Sequence, residues 1–167
     1  VCSARLVTGV TLAMRREPSR LAPGPDGSRP MSYPRLVQPV LDRHCVRCHD
    51  GQAGPGRGGV RLTGEPEGAF SRSYVGLKPY LRWYEWGDAS ISQIASHPGK
   101  AGADSSPLTR ILHDSNHGAG IGLPDEDRRR LYLWLDANVP FYGTYSKEEH
   151  LADRKSTRLN SSHANIS

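Results

Sequence analysis

Five consecutive residues, Cys45-Val46-Arg47-Cys48-His49, place two thiols three positions apart and an imidazole on the next residue. On one helical turn that spacing puts both sulfurs on one side of the backbone, with the imidazole beside them. Thiols so placed reach both vinyl groups of one porphyrin ring and bond to it, while the imidazole meets the central iron. C-x-x-C-H is accordingly the attachment run of a c-type haem. The reading assigns Cys45 and Cys48 to covalent attachment, His49 to the proximal iron position, and haem c as the cofactor.

Two other chemistries use paired cysteines. Cys45 and Cys48 could join His113 and His117 in a zinc-stabilised interaction module, but 64 residues separate the pairs, against the ~12–15 usual for such sites. A thioredoxin-like redox pair needs a strand-to-helix junction in a βαβ setting, and no convincing strand flanks this run.

The opposite iron face decides what a haem does: a methionine there raises the potential, a second histidine keeps it low, and an open position permits chemistry or sensing. Both methionines, Met14 and Met31, precede the attachment run, so a histidine or an open face is expected. His117, in a Gly-flanked loop able to approach a haem face closely, is the first choice for distal ligand. His113 comes next, although it sits roughly 140° around its helix from Leu108 at ~100° per residue, away from the apolar stripe. His97, in Ser96-His97-Pro98-Gly99, is a further candidate; His44 is held too close to the attachment turn, and His150 is expected outside the domain. With His117 elsewhere, an open face lined by Tyr84 or Trp86 would make a catalytic or ligand-sensing haem. Arg43, Arg47 and Lys78 could pair with haem propionates, but each is equally well explained as a solvated charge.

The elements that must position these groups are helical and short. Gln38-Pro39 opens a helix on which Val40, Leu41, Cys45 and Cys48 share a face. Ser106-Pro107 caps and starts a second, with Leu108, Ile111 and Leu112 as its stripe, ending near Asp114. A third starts at Pro124-Asp125 with acidic residues in its first turn, presents Leu131, Trp134 and Leu135 inward, and stops near Asn138-Val139-Pro140. Residues 50–69 hold seven glycines and two prolines, which predicts a loop with at most one short strand at Val60-Arg61-Leu62. Phe70, Tyr74, Tyr80, Trp83, Tyr84 and Trp86 fall within seventeen residues and are read as wall for a planar ligand, with ordinary core packing as the alternative. The expected fold is mainly α, a small domain of about three helices with long Gly/Pro-rich loops and little strand.

The 167 residues suit one domain with a modest core. Its expected limits are 33–146, with 1–32 a proline-dense linker or the remnant of an upstream domain and 147–167 a tail. Residues 153–167 look like a translated sequencing adapter and are left out of fold reasoning. Net charge is +5, of which Asp153, Arg154, Lys155 and Arg158 supply +2. That mild basicity is no nucleic-acid footprint, and the run Arg128-Arg129-Arg130 reads as a solvated helix face. No stretch approaches the ~20 apolar residues of a membrane span, and the chain reads as lacking its front, with any export signal upstream. Of the three cysteines only Cys2 lies outside the attachment run, too few for a disulfide framework. Its neighbour Ser3 stands where a second attachment run would need histidine.

The run from Ser32-Tyr33-Pro34-Arg35-Leu36-Val37-Gln38-Pro39-Val40-Leu41-Asp42 through Cys45 to Gly51, with Leu131-Tyr132-Leu133-Trp134-Leu135-Asp136-Ala137-Asn138 and Phe141-Tyr142-Gly143-Thr144-Tyr145, resembles proteins related to the hydrazine synthase alpha subunit. It is similar also to planctomycete-type cytochrome c domains more generally. The resemblance covers about residues 15–146. It implies a C-terminal, bis-histidine c-type haem module of a larger exported protein, with the distal histidine between Leu112 and Leu123, and so His117 or His113. The expected function is electron transfer in the periplasm or an equivalent compartment, with a redox partner protein or an upstream haem domain of the parent chain as partner. Chemistry of a catalytic haem domain would lie upstream of this segment, and shared ancestry does not transfer it.

Overall fold

The computed structural model describes residues 12–24, 27, 29–52, 59–84, 99–118 and 121–152. These residues are mostly helical: α1 (Tyr33–Leu36), α2 (Gln38–His44), α3 (Arg72–Leu77), α4 (Pro107–His113), α5 (Ser115–Gly118) and α6 (Asp125–Asp136), with short 3-10 turns at Leu12–Arg15 and Lys78–Tyr80. Strand is confined to an antiparallel hairpin of β1 (Pro66–Glu67) and β2 (Phe70–Ser71), in which Pro66 pairs with Ser71 and Glu67 with Phe70.

The helices predicted at Gln38, Pro107 and Asp125 form where the caps and stripes place them. Three further short helices, α1, α3 and α5, make the count higher than the three expected. Four to six residues each, they lack the two full turns over which a 3.6-residue period becomes visible in sequence. The strand expected at Val60-Arg61-Leu62 is not formed, and the hairpin lies just beyond it. Ser106 takes the N-cap position of α4 without a capping bond; its hydroxyl donates to the Gly102 carbonyl at 2.7 Å and accepts from the Arg82 N–H at 3.0 Å.

Between α1 and α2 the chain bends at Val37. Pro39 has no N–H to give to the Arg35 carbonyl, and its ring crowds that oxygen, so one continuous helix is not available. The bend turns Tyr33 and Leu36 of α1, and Val40 and Leu41 of α2, onto one core with Leu62, Tyr74, Leu77, Leu81, Leu108, Leu131, Trp134 and Leu135. At its centre the Tyr33 ring lies 5.1 Å from both Tyr74 and Trp134 and 5.6 Å from Phe141. Edge-on and tilted pairs of this kind add to burial through ring quadrupoles.

Past α6 the backbone reverses through Asn138 (φ 67°) and Val139 (φ 49°). Asparagine tolerates the left-handed region, whereas a β-branched residue there is strained. The surroundings impose it: Val139 is buried, its N–H donates to the Trp134 carbonyl at 3.1 Å, and its carbonyl accepts from the Tyr74 hydroxyl at 2.8 Å. Trp134 Nε1 donates to Pro140 at 3.0 Å and the Tyr33 N–H to Phe141 at 2.9 Å, tying the segment after α6 to α1.

Residues 147–152 are helical, and His150, expected outside the domain, lies against Tyr142 with ring centres 4.0 Å apart. Among the described residues no helix is long and apolar enough to cross a membrane.

Gly143 is packed so closely that a Cβ there would come within 2.4–2.6 Å of the Met31 backbone. Gly143→Ala is therefore expected to lower stability by about 1–3 kcal/mol, the cost of forcing backbone apart, read as a reduced urea midpoint with unchanged slope.

Candidate functional site

Helix α2 ends at Cys45, and the chain continues in a single turn whose geometry is set by one carbonyl. The Cys45 oxygen accepts from the Cys48 N–H at 3.1 Å and from the His49 N–H at 3.0 Å. Residues three and four apart on a turn share a face, so both sulfurs and the His49 imidazole leave the backbone on the same side. Cys45 and Cys48 are free thiols, each partly buried. Burial, with the charges of Asp42 and Cys48, pushes the Cys45 thiol up to about 11. A redox-pair cysteine needs the opposite, a thiol shifted down toward neutrality.

This turn forms one wall of a cavity of about 420 Å³. Cys45, Cys48 and His49 line it from one side and Asp114, Asn116 and His117 from another, with Leu41, Leu62, Leu77 and Leu108 among its apolar lining. His49 and His117 both line it, with ring centres 6.0 Å apart and planes inclined by 27°. Two imidazoles binding one metal from opposite sides, at the ~2.0–2.1 Å usual for imidazole on a divalent metal, have ring centres roughly 6 Å apart.

His49 is fixed in one tautomer. Its Nδ1 lies 2.9 Å from the Val60 carbonyl oxygen, and since a carbonyl only accepts, Nδ1 carries the proton and Nε2 keeps its lone pair. A ring nitrogen so tied is the usual way a ligating histidine is oriented and made more basic. The same strand of chain grips the His49 backbone, the Leu62 N–H donating to the His49 carbonyl at 2.8 Å. Buried Gln38 holds Leu62 in turn: its Nε2 donates to the Leu62 carbonyl at 3.2 Å and to Asp42 at 2.7 Å, and its Oε1 accepts from the Ser73 hydroxyl.

The distal side is built differently. His117 sits in α5, a helical turn rather than the loop expected, and Ser115, Asn116 and His117 are all exposed. Local bonds shape this turn: the Asn116 N–H donates to the Asp114 carboxylate at 2.9 Å and the His117 N–H to the Asp114 carbonyl at 3.0 Å. His113, the other distal candidate, is turned away, its Nε2 2.7 Å from the Tyr132 hydroxyl. Cys45, Cys48, His113 and His117 do not gather; among the described residues no three His, Cys, Asp or Glu side chains converge to hold a metal ion by themselves. His97, Trp86 and Cys2 lie outside the described residues.

The aromatic segment expected as cavity wall divides. Tyr80 lines the cavity, but Phe70 and Tyr74 pack into the core against Phe141, at 5.1 and 4.9 Å. Trp83 lies against the same core and Tyr84 is exposed. A cluster in sequence separates in space because α3 turns Tyr74 one way and the 3-10 turn at Lys78–Tyr80 the other. Of the basic residues considered for propionates, Arg43 is paired with Asp127 and Lys78 lies 5.4 Å from the centre of the Phe70 ring. Arg128 and Arg130, expected on a solvated face, pair with Asp125, Glu126 and Asp127 on their own helix.

Asp127 is the site residue that sequence reasoning missed. Buried at the start of α6, it accepts from Arg43 and His44 of α2 at 2.9 Å each and from Arg130 at 2.8 Å, so the last turn before Cys45 is moored to α6. Burial by itself would raise its carboxyl, but the hydrogen bonds from His44 and Arg130 and the charge of Arg43 outweigh it and hold the group below its usual value. The sequence offered no signal, since an acidic residue in a helix's first turn is ordinary and its partners on α2 are over eighty positions away.

Compared with protein-family models, curated proteins and solved structures, the chain matches none of them.

A carboxyl with a lowered folded value contributes stability that is complete above its unfolded value of ~3.9 and is lost as pH falls through the folded value. Asp127→Asn is expected to lower stability at pH 7 by about 1–3 kcal/mol, the cost of leaving buried donors short of a charged acceptor, and to flatten the acid limb of the pH–stability curve. Urea unfolding from pH 2 to pH 7 checks both.

Proposed function

We propose that this chain is a c-type cytochrome domain that passes single electrons, with Cys45 and Cys48 as thioether attachments, His49 as proximal ligand and His117 as distal ligand. The observation that carries this reading is that His49 and His117, with ring centres 6.0 Å apart, line one cavity together with both cysteines. The donor set fits the group: two thiols and an imidazole on one face of a turn, an imidazole with its Nε2 free, and apolar walls. Such a haem would supply one-electron exchange between ferric and ferrous iron.

The chain's own residues do the remaining work. Val60 holds the His49 proton at Nδ1 and so leaves Nε2 as the nitrogen that would bind the iron. Leu41, Leu62, Leu77, Leu108 and Leu131 keep water from the cavity floor, which with ligand identity sets the potential. With histidine on both faces no coordination position remains for a substrate, so the domain hands electrons on to a redox partner or another haem of its parent protein. Attachment of this kind is made on exported chains, so the proposal carries an exported location with it.

The full chain, produced together with haem-attachment machinery, is expected to give sharp low-spin bands that do not change under carbon monoxide. Cys45→Ser with Cys48→Ser should abolish covalent haem, and His117→Ala should open the distal face so that carbon monoxide shifts the reduced spectrum. A carbon monoxide shift in the unaltered chain would favour an open catalytic or sensing haem, and absence of covalent haem would refute both readings.

A further inference from the structure

Glycine inside a helix is costly relative to alanine, yet α3 carries Gly76 one residue before its end. Its φ is ordinary, so conformational freedom does not explain it; space does. A Cβ at Gly76 would come within 2.5 Å of Val60 Cγ2 and 3.2 Å of the Arg61 carbonyl. On the other flank of the same segment Gly51 (φ 90°) lies under Arg61, where a Cβ would meet Arg61 Cδ at 2.7 Å. Arg61 is further tied by an ion pair to Glu65 and by its Nε, which donates to Thr63 Oγ1 at 3.0 Å. The segment Val60–Leu62 is thus wedged between two glycines, and it supplies the two bonds that reach His49 from outside its own turn, from the Val60 carbonyl and the Leu62 N–H.

The geometry points to Gly76 as a positioning residue for the proximal ligand: its bare backbone lets Val60 seat against α3 at the depth where the Val60 carbonyl accepts the hydrogen bond from His49 Nδ1. This rests on the haem reading. A methyl at Gly76 pushes Val60 outward and lengthens that bond. His49 then becomes a weaker donor, ferric iron loses more stabilisation than ferrous, and the potential rises.

The test measures reduction potentials of the full haem-loaded chain. Gly76→Ala is expected to shift the ferric-to-ferrous ratio at fixed poise about tenfold toward ferrous, the low end of what losing such an outer partner costs, or ~59 mV for one electron. Because the clash is with a side-chain atom, adding Val60→Ala to Gly76→Ala should restore the original potential. Gly143→Ala, which strains the fold away from the site, should leave the potential unchanged. An unaltered potential in Gly76→Ala, a failed rescue, or the same shift in Gly143→Ala would each overturn the assignment. Should Gly76→Ala not fold, the double variant decides: it folds with the original potential if Val60 is what the methyl meets, and fails otherwise. If the unaltered chain takes no haem, the haem reading fails, and the clamp is read from the ¹⁵N shifts of the His49 imidazole in the haem-free protein. A pure Nδ1–H form that becomes a tautomer mixture in Gly76→Ala supports it, and identical spectra overturn it.

Discussion

In the proposed cytochrome the turn from Cys45 to His49 has to hold two sulfurs and one imidazole on the same side, with the imidazole proton on Nδ1. The first requirement is local, met by the Cys45 carbonyl as it accepts from Cys48 and His49. The second is met from farther along the chain. The Val60 carbonyl, eleven residues on, supplies it. Once that bond is required, the loop after the turn must fold back, α3 must let it approach, and Gln38 must bridge the two.

Polar groups in the core are used for that bridging rather than left to water. Ser71, Ser73, Gln38 and Asp42 form a connected run, with Gln38 Nε2 reaching the Leu62 carbonyl. A network whose members are satisfied specifies one arrangement of a small core more sharply than apolar contacts do, since each displacement leaves a buried group unpaired. Asp127 does the same between α2 and α6 with three donors. Together they fix the end of α2 from two directions.

The two sides of the cavity differ in how firmly they are held. His49 rests on a helix end anchored to α6 and on a segment gripped by α3, whereas His117 is carried by a single helical turn shaped by Asp114, in which Ser115, Asn116 and His117 are exposed to solvent. Segments with few buried contacts open at the lowest free energy. In the proposed cytochrome the proximal side is accordingly the rigid reference and the distal side the part that adjusts.

What the sequence determined by itself was chemistry confined to a single turn and elements long enough to show a period. The turn carrying Cys45, Cys48 and His49, the attachment run of the proposed cytochrome, is legible from its spacing, and α2, α4 and α6 because proline starts and apolar stripes mark them. The tertiary structure decided the rest. It turned His117 toward His49 and His113 toward Tyr132, a choice that two histidines four residues apart cannot announce. It sent Phe70 and Tyr74 into the core and left Tyr80 at the cavity, and it brought Val60 to His49, Gly76 to Val60, and Asp127 to Arg43 and His44. Val60 acts through a carbonyl every residue possesses, Gly76 through the absence of a side chain, and Asp127 through two donors of α2 more than eighty positions away. None of these leaves a mark in residue type or spacing, because each depends on where the chain returns in space.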